Sequence, residues 1–150
     1  MVLAYSQRMD APIVVAVFNT SEDTVDMLRI SLESAGYIVV AAFTTELRDG
    51  KVDLDAFMRQ HCPAVVVYDV ALPYEANWRL FQHIKAMPAM RGVQFVLTST
   101  NAAQVRKVAG PHQDILEIVG KPYDLARLTE VVGEAARRFS TVSGPPQQNG

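Results

Sequence analysis

The stretch AVVVYDVALP at residues 64–73 decides the fold of this 150-residue chain. It opens as an unbroken apolar run rich in Val, and an acidic residue, Asp69, follows the run. Strands covered on both faces of a parallel sheet have such runs, whereas half-exposed strands alternate apolar and polar residues. The stretch therefore predicts a buried parallel strand with Asp69 at its carboxyl end.

Four more apolar runs flank this stretch: IVVAVF (13–18), IVVAAF (38–43), VQFVLT (93–98) and ILEIV (115–119). Segments with the helical spacing of apolar residues separate the runs. Alternation of five strands with five helices predicts an α/β domain of three layers: a doubly wound, flavodoxin-like parallel sheet with strand order 2-1-3-4-5. The polar segment TTELRDGK (44–51) is longer than a minimal connection and is interpreted as a surface insertion or a short extra helix.

Composition limits the class of protein. The 14 Lys and Arg residues against 16 Asp and Glu residues provide no basic field for nucleic acid or an anionic membrane. The single cysteine, Cys62, excludes an internal disulfide and suits a reducing compartment. No apolar run approaches the ~20 residues that span a bilayer, and the N-terminus lacks a secretory pattern. We therefore expect a cytoplasmic protein that binds neither nucleic acid nor membrane.

The chain is long enough for one domain with one core. The periodic segments place this domain at residues 12–139, after an N-terminal extension at residues 1–11. The polar tail at residues 140–150 has no apolar periodicity and is predicted to be disordered.

Polar residues gather where the predicted strands end. In chain order these residues are Asn19 and Thr20, Asp69, Thr98, and Lys121 with Pro122. Ligands of doubly wound sheets bind at the carboxyl ends of the strands, so a carboxylate, a hydroxyl and an ammonium group are predicted to meet there. Any one of these residues could merely end its strand, but the combination predicts a functional site.

From about residue 13 to residue 139 the chain resembles the receiver domain of bacterial two-component response regulators. The similarity is carried by VVVYDVALP, in which Asp69 is followed four residues later by Pro73, by VLTSTN with Thr98, and by IVGKPYDL with Lys121 and Pro122. These pieces occur in the family's order, at similar intervals and on the expected strand ends.

The resemblance implies a phosphorylation site. Asp69 would accept a phosphoryl group from a histidine kinase or a histidine phosphotransfer protein, and Thr98 and Lys121 would contact the phosphate. Pro122, usually after a cis peptide bond in the family, would aim the lysine. Mg²⁺ would be held by Asp69, by the backbone carbonyl of Ala71 and by the residues after the first strand.

The resemblance also implies a signalling module rather than an enzyme. We expect a stand-alone receiver, without a fused output module, that acts by contact with an unknown target protein. The family's contact surface corresponds to residues 102–139, and a homodimer is compatible with this interpretation.

Several positions depart from the family pattern. Asn19 and Thr20 replace two adjacent acids, so the Mg²⁺ site is predicted to be weak or absent, with Asn19 offering only a neutral carbonyl. Ile118 replaces an aromatic residue that changes rotamer, which predicts a damped or different switch. Asn77 replaces a frequent Gly, and we interpret the exchange as mild because Asn tolerates left-handed backbone.

Trp78 is interpreted as a packing residue in preference to an exposed binding anchor.

Two other functions remain open from the sequence. A degenerate receiver that binds proteins without phosphorylation is favoured by Asn19, Thr20 and Ile118, whereas the presence of the acid, hydroxyl and lysine together opposes it. A small flavodoxin-like enzyme or ligand carrier is the remaining alternative.

Overall fold

The computed structural model describes residues 12–110, 115–120 and 124–142, with the backbone alone for residues 115–120 and 140–142. The predicted extension at residues 1–11, the tail from residue 143, and Lys121 and Pro122 lie outside the described residues.

Five parallel strands form one sheet. They are β1 (Val14–Asn19), β2 (Ile38–Phe43), β3 (Val65–Asp69), β4 (Gln94–Ser99) and β5 (Ile115–Gly120), in the order β2-β1-β3-β4-β5. The predicted α/β class with a parallel sheet is confirmed. Strands β1, β3 and β4 lie one residue later than predicted, so Asn19 and Asp69 are the last residues of their strands rather than the first residues of loops.

Six α-helices, not the predicted five, occur in the described residues. They are α1 (Glu22–Ser34), α2 (Thr44–Arg48), α3 (Leu54–His61), α4 (Tyr74–Lys85), α5 (Ala102–Ala109) and α6 (Leu125–Val142), with a 3₁₀ turn at Pro88–Met90. The additional helix is α2, which confirms the short extra helix, one of the two interpretations of the polar segment after β2. Helix α6 continues three residues beyond residue 139, so the first residues of the predicted disordered tail are helical. None of the described helices is long and apolar enough to cross a membrane.

The start of α1 follows from local chemistry. The Ser21 side chain accepts a hydrogen bond of 3.3 Å from the backbone N–H of Thr24, which satisfies one of the unpaired donors of the first turn. Glu22 and Asp23 lie in the same turn, where carboxylates stabilise the positive end of the helix dipole. The residue that ends β1 is thus followed at once by a capped helix, which restricts the loop beside the site.

Each face of the sheet has its own core. On β1, Val15 and Val17 pack with α1 and α6, whereas Ala16 and Phe18 pack on the opposite side with α3, α4 and α5. The alternation arises because successive strand residues point to opposite faces. The domain therefore has three layers, with every strand of the described core covered by helices.

Aromatic rings fill the α4 side of the sheet. The Phe81 ring lies 5.1 Å from the ring of Tyr68, 5.3 Å from that of Trp78 and 5.3 Å from that of Phe95. Trp78 is only 5% exposed. This confirms its interpretation as a packing residue and rules out an exposed anchor.

Candidate functional site

Asp69 and Thr98 meet at the carboxyl edge of the sheet. The register of β3 and β4 places them opposite each other, and the Thr98 Oγ1 hydroxyl donates a 2.7 Å hydrogen bond to Asp69 Oδ1. Asp69 is 2% exposed and Thr98 is fully buried. A short bond to a carboxylate in a buried setting is of the strong, charge-assisted kind. Two of the three residues predicted to converge thus lie in contact, and the third, Lys121, lies outside the described residues.

The loops that follow β3 and β4 are joined directly behind this pair. The backbone N–H of Val70 donates to the carbonyl of Thr98 at 2.8 Å, and the Ser99 hydroxyl donates to the carbonyl of Val70 at 3.0 Å. Farther out, the hydroxyls of Tyr74 and Thr100 share a hydrogen bond of 3.0 Å. A movement of Thr98 would therefore be felt in both loops.

Asn19 lies at the same edge but is engaged elsewhere. Phe18 pairs with Tyr68 between β1 and β3, so Asn19 and Asp69 end neighbouring strands at the same level. Asn19 is 1% exposed, and its Oδ1 accepts a 3.0 Å hydrogen bond from the backbone N–H of Ser21. Thr20, the second residue in place of the family's acids, is exposed. The Asn19 side-chain carbonyl, predicted as a weak metal ligand, thus stabilises the loop before α1.

The sequence analysis missed Arg48 and did not predict the contacts of Asn77. Asn77, in the first turn of α4, is 1% exposed, and its Nδ2 donates a 2.6 Å hydrogen bond to the carbonyl of Ala71. Its Oδ1 accepts a 3.1 Å hydrogen bond from Nη2 of Arg48. The left-handed backbone on which the interpretation of Asn77 as a mild replacement depended is absent, because the residue is helical and makes its contacts through its side-chain amide. Of the described residues other than glycine, only Cys62 has a positive φ.

Arg48 reaches this edge because of where α2 begins. Helix α2 directly follows β2, and the carboxyl ends of parallel strands share one edge of the sheet. Residues four apart lie on one helix face, so Arg48 shares its face with the buried Thr44. The position of Arg48 shortly after a strand could have indicated a role at this edge, but the polar segment was interpreted only as a surface insertion or a short extra helix.

Charges of both signs act on the Tyr68 hydroxyl. Burial raises the pKa of this phenol well above its ordinary range, with Arg48 acting to lower the pKa and Asp69 to raise it. Tyr68 is therefore neutral, and its hydroxyl faces the backbone carbonyl of Asn77 at 3.5 Å. The acid of β3 and the cation of α2 thus influence one buried region.

The donor set does not fit Mg²⁺. Asp69 is the only acid among the three predicted ligands, and Mg²⁺ prefers carboxylates in octahedral geometry. The other two, the Ala71 carbonyl and Asn19 Oδ1, each accept a hydrogen bond from the protein itself. Within the described ranges, no group of three or more His, Cys, Asp or Glu residues could hold a metal ion.

The predicted switch position, Ile118, lies in β5 and pairs with Leu97 of β4. Strand β5 ends at Gly120, opposite Ser99. The strand that precedes Lys121 therefore ends beside the strand that carries Thr98.

Comparisons with solved structures define the fold. A sensor protein from Polaromonas sp. JS666 matches with a TM-score of 0.69 and 17% identity, over 85% of this chain and 98% of that one. A response regulator receiver domain protein from Clostridium thermocellum matches with a TM-score of 0.63 and 17% identity, over 87% and 98%. A response regulator from Thermotoga maritima matches with a TM-score of 0.62 and 20% identity, over 84% and 98%. No protein-family model and no curated sequence matches the chain.

The chain therefore has the fold of response regulator receiver domains, as the sequence predicted. The match covers nearly the full length of these structures, so the fold is that of a whole receiver domain. At identities of 17–20% the likeness concerns the fold, and function is argued from the site.

Proposed function

We propose that this chain is a receiver that accepts a phosphoryl group on Asp69 from a histidine kinase or histidine phosphotransfer protein and signals by protein contact. The observation that carries the proposal is the buried 2.7 Å hydrogen bond from Thr98 to Asp69 at the carboxyl edge of the sheet. A carboxylate at the end of the central strand, with a hydroxyl already beside it, is the pair that the proposed chemistry requires.

The transfer itself balances simply. An Asp69 carboxylate oxygen attacks the phosphorus of a phosphohistidine, so that a P–O bond forms while the P–N bond breaks. The histidine nitrogen keeps the bonding electron pair and takes up a proton, and Asp69 becomes an acyl phosphate. Such transfers depend mainly on positioning and on neutralising the charge of the moving group. In this proposal Lys121 supplies one positive charge, and Pro122 fixes its direction.

Thr98 is the proposed start of the response. Once Asp69 carries a phosphoryl group, the Thr98 hydroxyl has a more highly charged acceptor than Oδ1. Its movement would pull on Ser99 and Val70, which join the two adjoining loops. The response would reach a target through α5, β5 and α6, without an aromatic rotamer change at residue 118.

The test is phosphorylation by a small donor. The wild-type protein and Asp69→Ala are incubated with acetyl phosphate and then measured by intact mass. A phosphoryl adduct on the wild type that is absent from D69A supports the proposal. The variant Asp124→Ala is a matched control, because Asp124 is an exposed helix-capping acid and its loss leaves the adduct unchanged.

The second candidate is a degenerate receiver that binds its partner without phosphorylation. Two observations favour it: Asp69 is only 2% exposed, and Asn19 is neutral and engaged with Ser21. This candidate predicts no adduct, either with acetyl phosphate or with a panel of phosphorylated histidine proteins. It also predicts that D69A leaves partner binding unchanged.

A further inference from the structure

A chain of three polar groups links the loop after β3 to helix α2. The Ala71 carbonyl accepts from the Asn77 amide at 2.6 Å, and the carbonyl oxygen of that amide accepts from the Arg48 guanidinium at 3.1 Å. Asn77 is 1% exposed, and a buried amide needs partners for both its donor and its acceptor. The backbone and Arg48 meet this need.

This chain of contacts disfavours cations in two ways. The Ala71 carbonyl already accepts from the Asn77 amide, so a metal that used this oxygen would have to share it with that hydrogen bond. The metal would also approach a guanidinium, which repels it. The Ala71 carbonyl, which would otherwise be open to a cation, accepts from the Asn77 amide, and the Arg48 guanidinium adds a permanent positive charge next to that amide.

We propose that Asn77 and Arg48 take the place of a divalent cation beside Asp69, so that the pocket accepts a phosphoryl group without Mg²⁺. Asn77 is a positioning residue that holds the Ala71 carbonyl. Arg48 supplies the positive charge that meets the phosphoryl oxygens, for which a planar guanidinium is well suited. The phosphoryl half of this inference rests on the function proposed above, whereas its metal half does not.

A further observation supports the role of α2. Thr44, four residues before Arg48 on the same helix face, is fully buried, and its hydroxyl has no hydrogen-bond partner among the described residues. A buried donor without a partner is unusual and suits an oxygen-rich ligand.

The first experiment measures Mg²⁺ affinity and does not depend on phosphorylation. Trp78 is the only tryptophan of the chain and directly follows Asn77, so its fluorescence reports on the pocket, with calorimetry as a second readout. The proteins are the wild type, the acid-restored pair N19D/T20D, and that pair combined with Asn77→Gly or with Arg48→Gln. Arg59→Gln in the same pair is the matched control, because Arg59 is an exposed helical arginine at the opposite edge, before β3.

We expect no saturable Mg²⁺ response from the wild type at millimolar concentrations and measurable binding by the acid-restored pair. Adding N77G or R48Q should tighten binding by about ten-fold, the size typical of changes next to metal ligands, whereas R59Q should leave it unchanged. Equal affinities with and without N77G and R48Q would overturn the inference. Because Arg48 is exposed, R48Q still decides the matter if N77G unfolds the protein.

The second experiment follows the phosphoryl adduct from acetyl phosphate with excess chelator or with Mg²⁺. The wild type should form the adduct at the same rate in both buffers. R48Q should slow it by about ten-fold or more, as expected for loss of a charge that stabilises a moving phosphoryl group, and Arg48→Lys should recover part of the rate because it restores the charge. An adduct that forms only with Mg²⁺, or that is indifferent to R48Q, contradicts the inference.

The two proposals fail in different ways. If the wild type forms no adduct in either buffer, the proposed function fails, and the affinities of the acid-restored variants still decide whether Asn77 and Arg48 exclude the metal. If the adduct forms but requires Mg²⁺, the proposed function stands and the role of Arg48 is refuted.

Discussion

The contact between Thr98 and Asp69 makes a quantitative prediction about the free energy of unfolding. The perturbation is Thr98→Val, which keeps the size and branching of the side chain and removes only the hydroxyl. The 2.7 Å distance is at the short, charge-assisted end of the range, and both residues are buried. A hydrogen bond of this kind contributes about 1.5–3 kcal/mol, against about 1 kcal/mol for a neutral pair.

A double-mutant cycle isolates this pair from the other contacts of the two residues. Urea denaturation at neutral pH, followed through Trp78 fluorescence, compares the wild type, T98V, D69A and T98V/D69A. The expected coupling is about 2 kcal/mol. In a second cycle D69N replaces D69A, and because the asparagine carbonyl still accepts from Thr98, the coupling should fall by about 1 kcal/mol. A coupling below about 0.5 kcal/mol in the first cycle, the usual error of additivity, would refute the contact as the organising feature of the site.

Three further outcomes test the fold and the pocket by urea denaturation. Tyr68→Phe should change the free energy of unfolding at neutral pH by less than about 1 kcal/mol, since the hydrogen bond from the Tyr68 hydroxyl to the Asn77 carbonyl is long at 3.5 Å. Burial raises the pKa of Tyr68 in the folded state, so the unfolded phenol releases its proton first as the pH rises. Above about pH 10 the free energy of unfolding of the wild type should therefore fall by about 1.4 kcal/mol per pH unit relative to that of Y68F. Parallel pH profiles of the two proteins would contradict this. Ser21→Ala should lower the free energy of unfolding by about 1 kcal/mol, because it removes the cap of α1. Ser34→Ala, at an exposed site in the last turn of α1, should lower it by less. Equal losses would show that the Ser21 cap does not stabilise the helix. Phe81→Ala should lower the free energy of unfolding by about 3–5 kcal/mol, because the Phe81 ring is fully buried. A decrease no larger than that of Gln82→Ala, at an exposed site, would refute the packing of the aromatic rings on this side of the sheet.

The layered architecture could be predicted because it depends on patterns repeated along the chain. Each buried strand is an apolar run, and the helices between them keep the spacing that covers the sheet. The boundary shift in β1, β3 and β4 shows where such patterns are weak. A polar residue at a strand end looks like a loop in the sequence, yet the hydrogen bonds of the ladder continue through Asp69 opposite Thr98.

The sequence could predict only those residues of the site that directly follow or end a buried strand. Asp69 and Thr98 were found because acid and hydroxyl each stand at the end of a buried run, and parallel pairing then brings them together. Asn77 could not be interpreted in the same way. Its amide acts on a backbone carbonyl six residues earlier in the chain and on an arginine 29 residues earlier, and neither contact has a periodic signature.

Asn19, Thr20, Arg48 and Asn77 are best considered together. Asn19 and Thr20 are neutral, so neither offers the Arg48 guanidinium a carboxylate with which to form an ion pair. Arg48 donates instead to Asn77, and Asn77 donates to the Ala71 carbonyl. Two neutral residues and an arginine have the same electrostatic sense, since they make this edge of the sheet less attractive to a cation and more attractive to an anion.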